Sequence, residues 1–242
     1  MEILSRLSGE SKLLAILIDP DKCNQEQLAK LSKDAQNGWI HLFLIGGSLL
    51  FKNQVKEIVD YLKQHCDVPV IIFPGNPSQI YDGADGLLLL SLISGRNADL
   101  LIGRHVEAAP SIKQSGLEVI PTGYILIDGG KATSVSYMSN TTPIPSDKAD
   151  IAVATSLAGE LLGLKAIYLE AGSGAKNPVS SEIISRVSNA VDIPIIVGGG
   201  IRSVEQVERA FESGANVVVI GTAVERDSEL ISMIAATMKN FA

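Results

Sequence analysis

The stretch Ile195–Ser203, IIVGGGIRS, carries a β-branched run straight into three glycines and then into a helical pattern. About twenty residues on, Val217–Val224, VVVIGTAV, repeats the device with Gly221 and Thr222. A short apolar run that ends at glycine and restarts as a helix is a buried parallel strand entering its crossover. Glycine lets the backbone approach an anion closely, and a helix N-terminus directs unpaired N–H groups toward it. Taken singly, each could be a tight turn with no ligand. Two in consecutive units, in this order, favour the phosphate cradle that follows strands seven and eight of a (β/α)₈ barrel.

Outward from these two units the same alternation runs back to the start of the chain. Strands are predicted at Leu13–Ile18, His41–Ile45, Val68–Phe73, Gly86–Leu90, Val119–Ile127, Ala166–Glu170, Ile193–Val197 and Asn216–Ile220, eight in all. Helical patterns lie between them at Gln25–Gln36, Gln54–Gln64, Ser180–Ala190 and Val204–Ser213. In the last, Val204, Val207, Ala210 and Phe211 share one face. With no linker or low-complexity stretch, residues 1–242 read as one TIM-barrel domain, a usual length for that α/β fold.

Composition agrees. Hydrophobic residues make up 46% and aromatics only 5%, so the core is aliphatic, as a parallel sheet covered on both faces requires. A net charge of −7 argues against broad nucleic-acid binding. Two cysteines, Cys23 and Cys66, and three scattered histidines make neither a disulfide framework nor a metal cluster, and imply a cytoplasmic setting. No apolar run approaches the ~20 residues of a membrane span, so stable insertion is not expected.

Two units depart from the regular pattern. Only Pro74–Asp85 joins the third and fourth strands, with Pro74, Gly75, Pro77 and Gly83 inside it. That is too short and too broken for a covering helix. It reads either as a compact loop closing its own gap or as a groove for a long apolar ligand. Asp128–Pro145, after the fifth strand, is long for a βα loop and reads as a substrate lid.

Three further rims carry chemistry. The sixth strand ends in IYLEAGSGAKNP, Ile167–Pro178, where Tyr168 and Glu170 share a face. A carboxylate at the mouth beside a phosphate cradle suits a general base or a hydroxyl-binding group. The first strand ends in LLAILIDPDK, Leu13–Lys22, with Asp19 its first carboxylate, and the second in IGGSLL, Ile45–Leu50, with Ser48. A carboxylate and a hydroxyl on neighbouring strands suit Mg²⁺, which takes few protein ligands and completes its shell with phosphate oxygens and water.

Taken together, LIDPDK, IGGS, GYILI, YLEAGSGA, VGGGIR and IGTAVE resemble the geranylgeranylglyceryl phosphate synthase family, which includes bacterial heptaprenylglyceryl phosphate synthases. The matches run in order from Asp19 to Glu225. The resemblance implies a modified barrel lacking its third helix and a Mg²⁺-dependent transfer of a prenyl chain, geranylgeranyl by the family's name. The chain would pass from its diphosphate to the 3-hydroxyl of sn-glycerol 1-phosphate, in lipid biosynthesis. It implies Asp19 and Ser48 as metal ligands and Glu170 as the catalytic base. Tyr124, Tyr168, Leu169, Glu170, Ala171, Gly172, Ser173, Gly174, Gly199, Gly200, Gly221 and Thr222 would hold the glycerol phosphate. The segment Leu88–His105, with Asn97, would wall the prenyl groove, and a homodimer is the default assembly. One departure is Leu17, where some members carry a lysine; Lys22 and Arg202 are the candidates to neutralise phosphate charge instead. The competing expectation is an isomerase or lyase acting on a phosphorylated sugar, for which the two glycine turns alone would serve equally.

Overall fold

A computed structural model describes residues 2–226, 229–238 and 241. The first half runs α1 (Ile3–Leu7), β1 (Leu13–Ile18), α2 (Gln25–Gln36), β2 (Leu42–Ile45), α3 (Val55–His65), β3 (Val70–Ile72), β4 (Gly86–Leu92) and α4 (Arg104–Ser115). The second runs β5 (Glu118–Leu126), α5 (Ser134–Ser139), α6 (Ala149–Leu161), β6 (Ala166–Glu170), α7 (Ser181–Ser188), β7 (Ile195–Gly198), α8 (Val204–Glu212), β8 (Val217–Ile220), α9 (Thr222–Arg226) and α10 (Leu230–Met238). All strands pair in parallel with their sequence neighbours, and β8 pairs with β1 to close an eight-stranded TIM barrel.

Strand alternation divides the core into two layers. In β6, Ala166, Tyr168 and Glu170 point into the barrel, whereas Ile167 and Leu169 point out to the helices. The inner layer, with Leu13, Leu42, Ile71, Leu88, Ile120, Ile196 and Val217, fills the barrel from below. The outer layer joins Ile16, Phe43, Ile72 and Val218 to helix residues such as Val59, Ile183 and Phe211. Val204, expected on that apolar helix face, is half-buried at its edge.

The N-terminal end of the barrel is plugged by α1, whose Ile3 and Leu7 join the inner layer. Gly86 leaves the space that Ile3 fills: a methyl there would lie 2.5 Å from the Ile3 Cδ1 atom. The Glu118 carboxylate accepts hydrogen bonds from the Ile3 and Leu4 N–H groups at 2.6 and 2.8 Å, satisfying first-turn donors that no helix can bond internally. Charge-assisted bonds of this kind contribute about 1.5–3 kcal/mol each at most. Glu118→Ala is therefore expected to lower the unfolding free energy by about 1–3 kcal/mol, measured by urea denaturation.

The two irregular units appear where the sequence placed them. Between β3 and β4 there is one 3₁₀ turn, Pro77–Gln79, and no α-helix, so this barrel lacks one covering helix. The lid segment holds the short helix α5, and Ile127 bridges Ile144 at its base. Among the described residues, no helix is long and apolar enough to cross a membrane.

Candidate functional site

At the C-terminal end of the strands lies a cleft of about 770 Å³. Its rim is built by β6, β7, β8, β1 and β2, one contiguous arc because β8 pairs with β1. The lid segment reaches it with Lys131, Ser134, Val135, Tyr137 and Met138.

Glu170 sits on the floor of the cleft, 5% exposed. Burial raises its carboxyl to about 7, against the lowering effects of the Gly172 N–H, which donates to its Oε1 at 2.6 Å, and of the neighbouring Tyr168 hydroxyl. The Tyr168 hydroxyl is itself buried and makes no hydrogen bond of good geometry. It is thus a donor directed at the Glu170 carboxylate from within the core. Phe73, Tyr124 and Tyr168 pack as a ring cluster with centroids 5.3–6.0 Å apart. Burial, and then the nearby Glu170 charge, push both phenols well above their ordinary pKa, so both remain proton donors.

The turns after β6, β7 and β8 are shaped by glycine. Gly172, Gly174, Gly199 and Gly200 all have positive φ. A methyl at Gly199 would lie 2.3 Å from Glu170 Oε1 and 2.5 Å from the Gly172 nitrogen, so the β7 turn rests directly on the β6 turn. The Ser173 and Thr222 hydroxyls meet at 3.2 Å, joining the β6 and β8 turns. Arg202 binds the Ala175 and Lys176 carbonyls and ties β7 to β6. Its guanidinium thus serves the cradle's frame.

Across the arc, Asp19 and Ser48 line the same cleft. Asp19 accepts from the Asp21 N–H at 3.1 Å and pairs with the Lys22 ammonium. The Asp21 carboxylate accepts from the Phe51 and Lys52 N–H groups at 2.7 and 2.8 Å and ties the two loops together, and a methyl at Gly47 would come within 3.8 Å of the Asp19 carboxylate. No group of three or more His, Cys, Asp or Glu side chains that could hold a metal occurs among the described residues. One carboxylate with one hydroxyl fits a Mg²⁺ that arrives with substrate phosphates, and would not cage a cation unaided.

Residues 8–239 match the PcrB family. The chain belongs to the PcrB family. The geranylgeranylglyceryl phosphate synthase of Chitinophaga pinensis is 52% identical over 232 residues, covering 96% of this chain and 92% of the relative. That of Korarchaeum cryptofilum is 40% identical, covering 93% of each. Among solved structures, the (S)-3-O-geranylgeranylglyceryl phosphate synthase of Thermoplasma acidophilum in complex with sn-glycerol-1-phosphate has a TM-score of 0.92 at 30% identity, covering 99% of both chains. A thiamine phosphate pyrophosphorylase from Pyrococcus furiosus shares the barrel at a TM-score of 0.61 and 15% identity, a likeness of fold alone.

In this PcrB-family chain the cleft gathers Asp19, Ser48, Tyr124, Tyr168, Glu170, Ser173, Gly174, Gly199, Gly200, Gly221 and Thr222. Leu169 lies elsewhere, its side chain in the outer layer. Ala171 and Gly172 lie behind the rim, where the Ala171 N–H binds the Gly198 carbonyl. The segment 88–105 contributes nothing to the cleft lining. Leu92 and Leu100 belong to the inner layer, and the Asn97 amide donates to the Ser139 carbonyl, anchoring the lid helix. Lys131 was not anticipated. It lies in the lid, 3.8 Å from where a methyl on Gly174 would be, above the β6 turn. The only signal for it was the DGGK run inside a long loop.

Proposed function

We infer that this chain transfers a geranylgeranyl chain from its diphosphate to the 3-hydroxyl of sn-glycerol 1-phosphate. The observation that carries the reading is Glu170: a carboxyl at about 7, on the floor of a glycine-lined cradle, in a chain whose relatives bear that activity as their name.

In this reading the turns after β6, β7 and β8 hold the glycerol phosphate through backbone N–H groups, with Lys131 above them. The Tyr124 and Tyr168 hydroxyls and Glu170 orient the glycerol end. Glu170 accepts the proton of the 3-hydroxyl as that oxygen forms its bond to C1 of the prenyl chain. The bond from C1 to the diphosphate oxygen breaks, and its electron pair leaves with diphosphate. Asp19 and Ser48 would hold Mg²⁺, which when bound neutralises charge on the leaving diphosphate. The inner-layer side chains below the cleft exclude water from the developing allylic charge. We place the enzyme in the cytoplasm as a homodimer, on its cysteine content and the usual pairing of barrels through outer helices.

A product assay with sn-glycerol 1-phosphate, sn-glycerol 3-phosphate as stereochemical control and a ladder of prenyl diphosphates tests this. Prenyl ether formed from the 1-phosphate alone, and only with Mg²⁺, is the expected result. Binding of phosphates with no ether from any donor would overturn it. In the same assay Asp19→Asn is expected to lower kcat/KM about 100-fold or more and to raise the Mg²⁺ needed for half-activity, since the other carboxylate at that end of the cleft, Asp21, is taken up by the Phe51 and Lys52 N–H groups.

A further inference from the structure

Gln79 is 1% exposed, sits in the connection that replaces the missing helix, and has no part in the chemistry above. Its side-chain amide is spent wholly on backbone. Oε1 accepts from the Gly75 N–H at 3.0 Å and from the Gly47 N–H at 3.4 Å, and Nε2 donates to the Gly47 carbonyl at 2.9 Å. One amide thus pairs with both polar groups of Gly47, as a neighbouring strand would, and also holds the β3–β4 connection.

The surrounding glycines show why an amide is needed. A methyl at Gly75 would lie 2.2 Å from the Gly47 carbonyl oxygen and 3.0 Å from the Ser48 Cα atom. A methyl at Gly46, whose φ is 152°, would lie 2.0 Å from the Phe73 carbonyl oxygen. Two loops therefore meet backbone to backbone, where a ladder of ordinary strand bonds is absent and no covering helix closes the gap. Buried N–H and C=O groups in such a place must find partners, and Gln79 supplies them. Beyond this contact, the Asp19 carboxylate lies 3.8 Å from where a methyl on Gly47 would be, and Ser48 lines the cleft.

We propose that Gln79 is a positioning residue for the diphosphate end of the site, clamping the Gly47–Ser48 turn to the β3–β4 connection and so fixing it beside Asp19. The assignment rests on the prenyltransferase reading for the ligand it names. Gln79 touches neither substrate nor cation; it fixes the loop that presents Ser48. The connection replacing a helix then has a use beyond coverage, since it carries an amide into a position that a regular helix on the barrel's outer face would not reach.

Two variants and two readouts test this. In Gln79→Leu, which keeps bulk and removes all three bonds, calorimetric affinity for inorganic pyrophosphate with Mg²⁺ is expected to fall at least tenfold. Affinity for sn-glycerol 1-phosphate stays within twofold. Amide hydrogen exchange at Gly47 and Gly75 accelerates at least tenfold while that of β6 and β7 is unchanged. Gln79→Glu retains an acceptor for Gly75 but sets a buried carboxylate oxygen against the Gly47 carbonyl, and gives a pyrophosphate effect at least as large and of the same kind. Equal weakening of both ligands, or a fall in melting temperature with both affinities intact, would make Gln79 a core residue only and overturn the proposal, as would a wild-type protein that binds no pyrophosphate with Mg²⁺. A wild-type protein that makes no prenyl ether but shows the selective pyrophosphate effect keeps the clamp and removes the transferase.

Discussion

Replacing Glu170 by glutamine is expected to lower kcat/KM by about 10²–10⁴-fold while leaving the protein at least as stable as the wild type. Glutamine keeps an oxygen for the Gly172 N–H but cannot take a proton from the glycerol hydroxyl. The stability side follows from linkage. Glu170 holds its proton in the fold up to about 7, whereas the unfolded chain releases it near 4.5. Between those values the folded state binds more protons, so wild-type stability falls as pH rises and levels off above about 7. The loss amounts to about 3 kcal/mol, and the glutamine variant, with nothing to ionise, does not suffer it. Urea denaturation at pH 5 and pH 8 measures both. The same carboxyl makes wild-type kcat/KM climb with pH through about 7, a rise that the variant lacks. A variant that loses activity and stability together at pH 8 would instead mark Glu170 as structural.

Gly199→Ala is the second large effect: activity below about 1% and a stability loss of about 2–5 kcal/mol. The added methyl would lie 2.3 Å from Glu170 Oε1, 2.5 Å from the Gly172 nitrogen and 2.8 Å from the Ala171 nitrogen, and two of these are backbone that cannot swing aside. A φ of 81° adds strain for any side chain. Gly38→Ala separates the two causes, because Gly38 has a φ of 75° but nothing within 4 Å of the added methyl. It is expected to lose only about 1–2 kcal/mol and no activity. Equal losses in both variants would show that strain alone governs Gly199, and that the β6–β7 contact does not hold the site together.

These contacts mark the limit of what a single sequence discloses. The strands were legible because their chemistry is local: Leu13–Ile18 and Ala166–Glu170 coincide with β1 and β6, and the inward face shared by Tyr168 and Glu170 follows from a period of two. Val68–Phe73 shrinks to β3 at Val70–Ile72, although backbone bonds from Phe43 to the Pro69 carbonyl and from Phe73 to the Ile45 carbonyl still join both flanks to β2. The glycine turns were legible as turns, but the closeness of Gly199 to Glu170 depends on a pairing across β6 and β7. Helix α5 escaped notice because SVSYMS has little helical propensity; reciprocal capping between Thr133 and Ser136 starts it. Lys131 lies near a turn forty-three residues away and Gln79 bonds to Gly47 across thirty-two, and no local pattern encodes such a meeting.

The seam between β8 and β1 has a consequence for how this protein comes into being. Asp19 and Ser48 leave the ribosome well before Gly221 and Thr222, yet all four face one cleft. No half-barrel contains both ends of the site, and the strand that joins them is the eighth, which closes the barrel. Contacts of such long sequence separation form late and slowly. A nascent or truncated chain therefore has no partial activity to offer, and competence arrives in one step, when the circle closes.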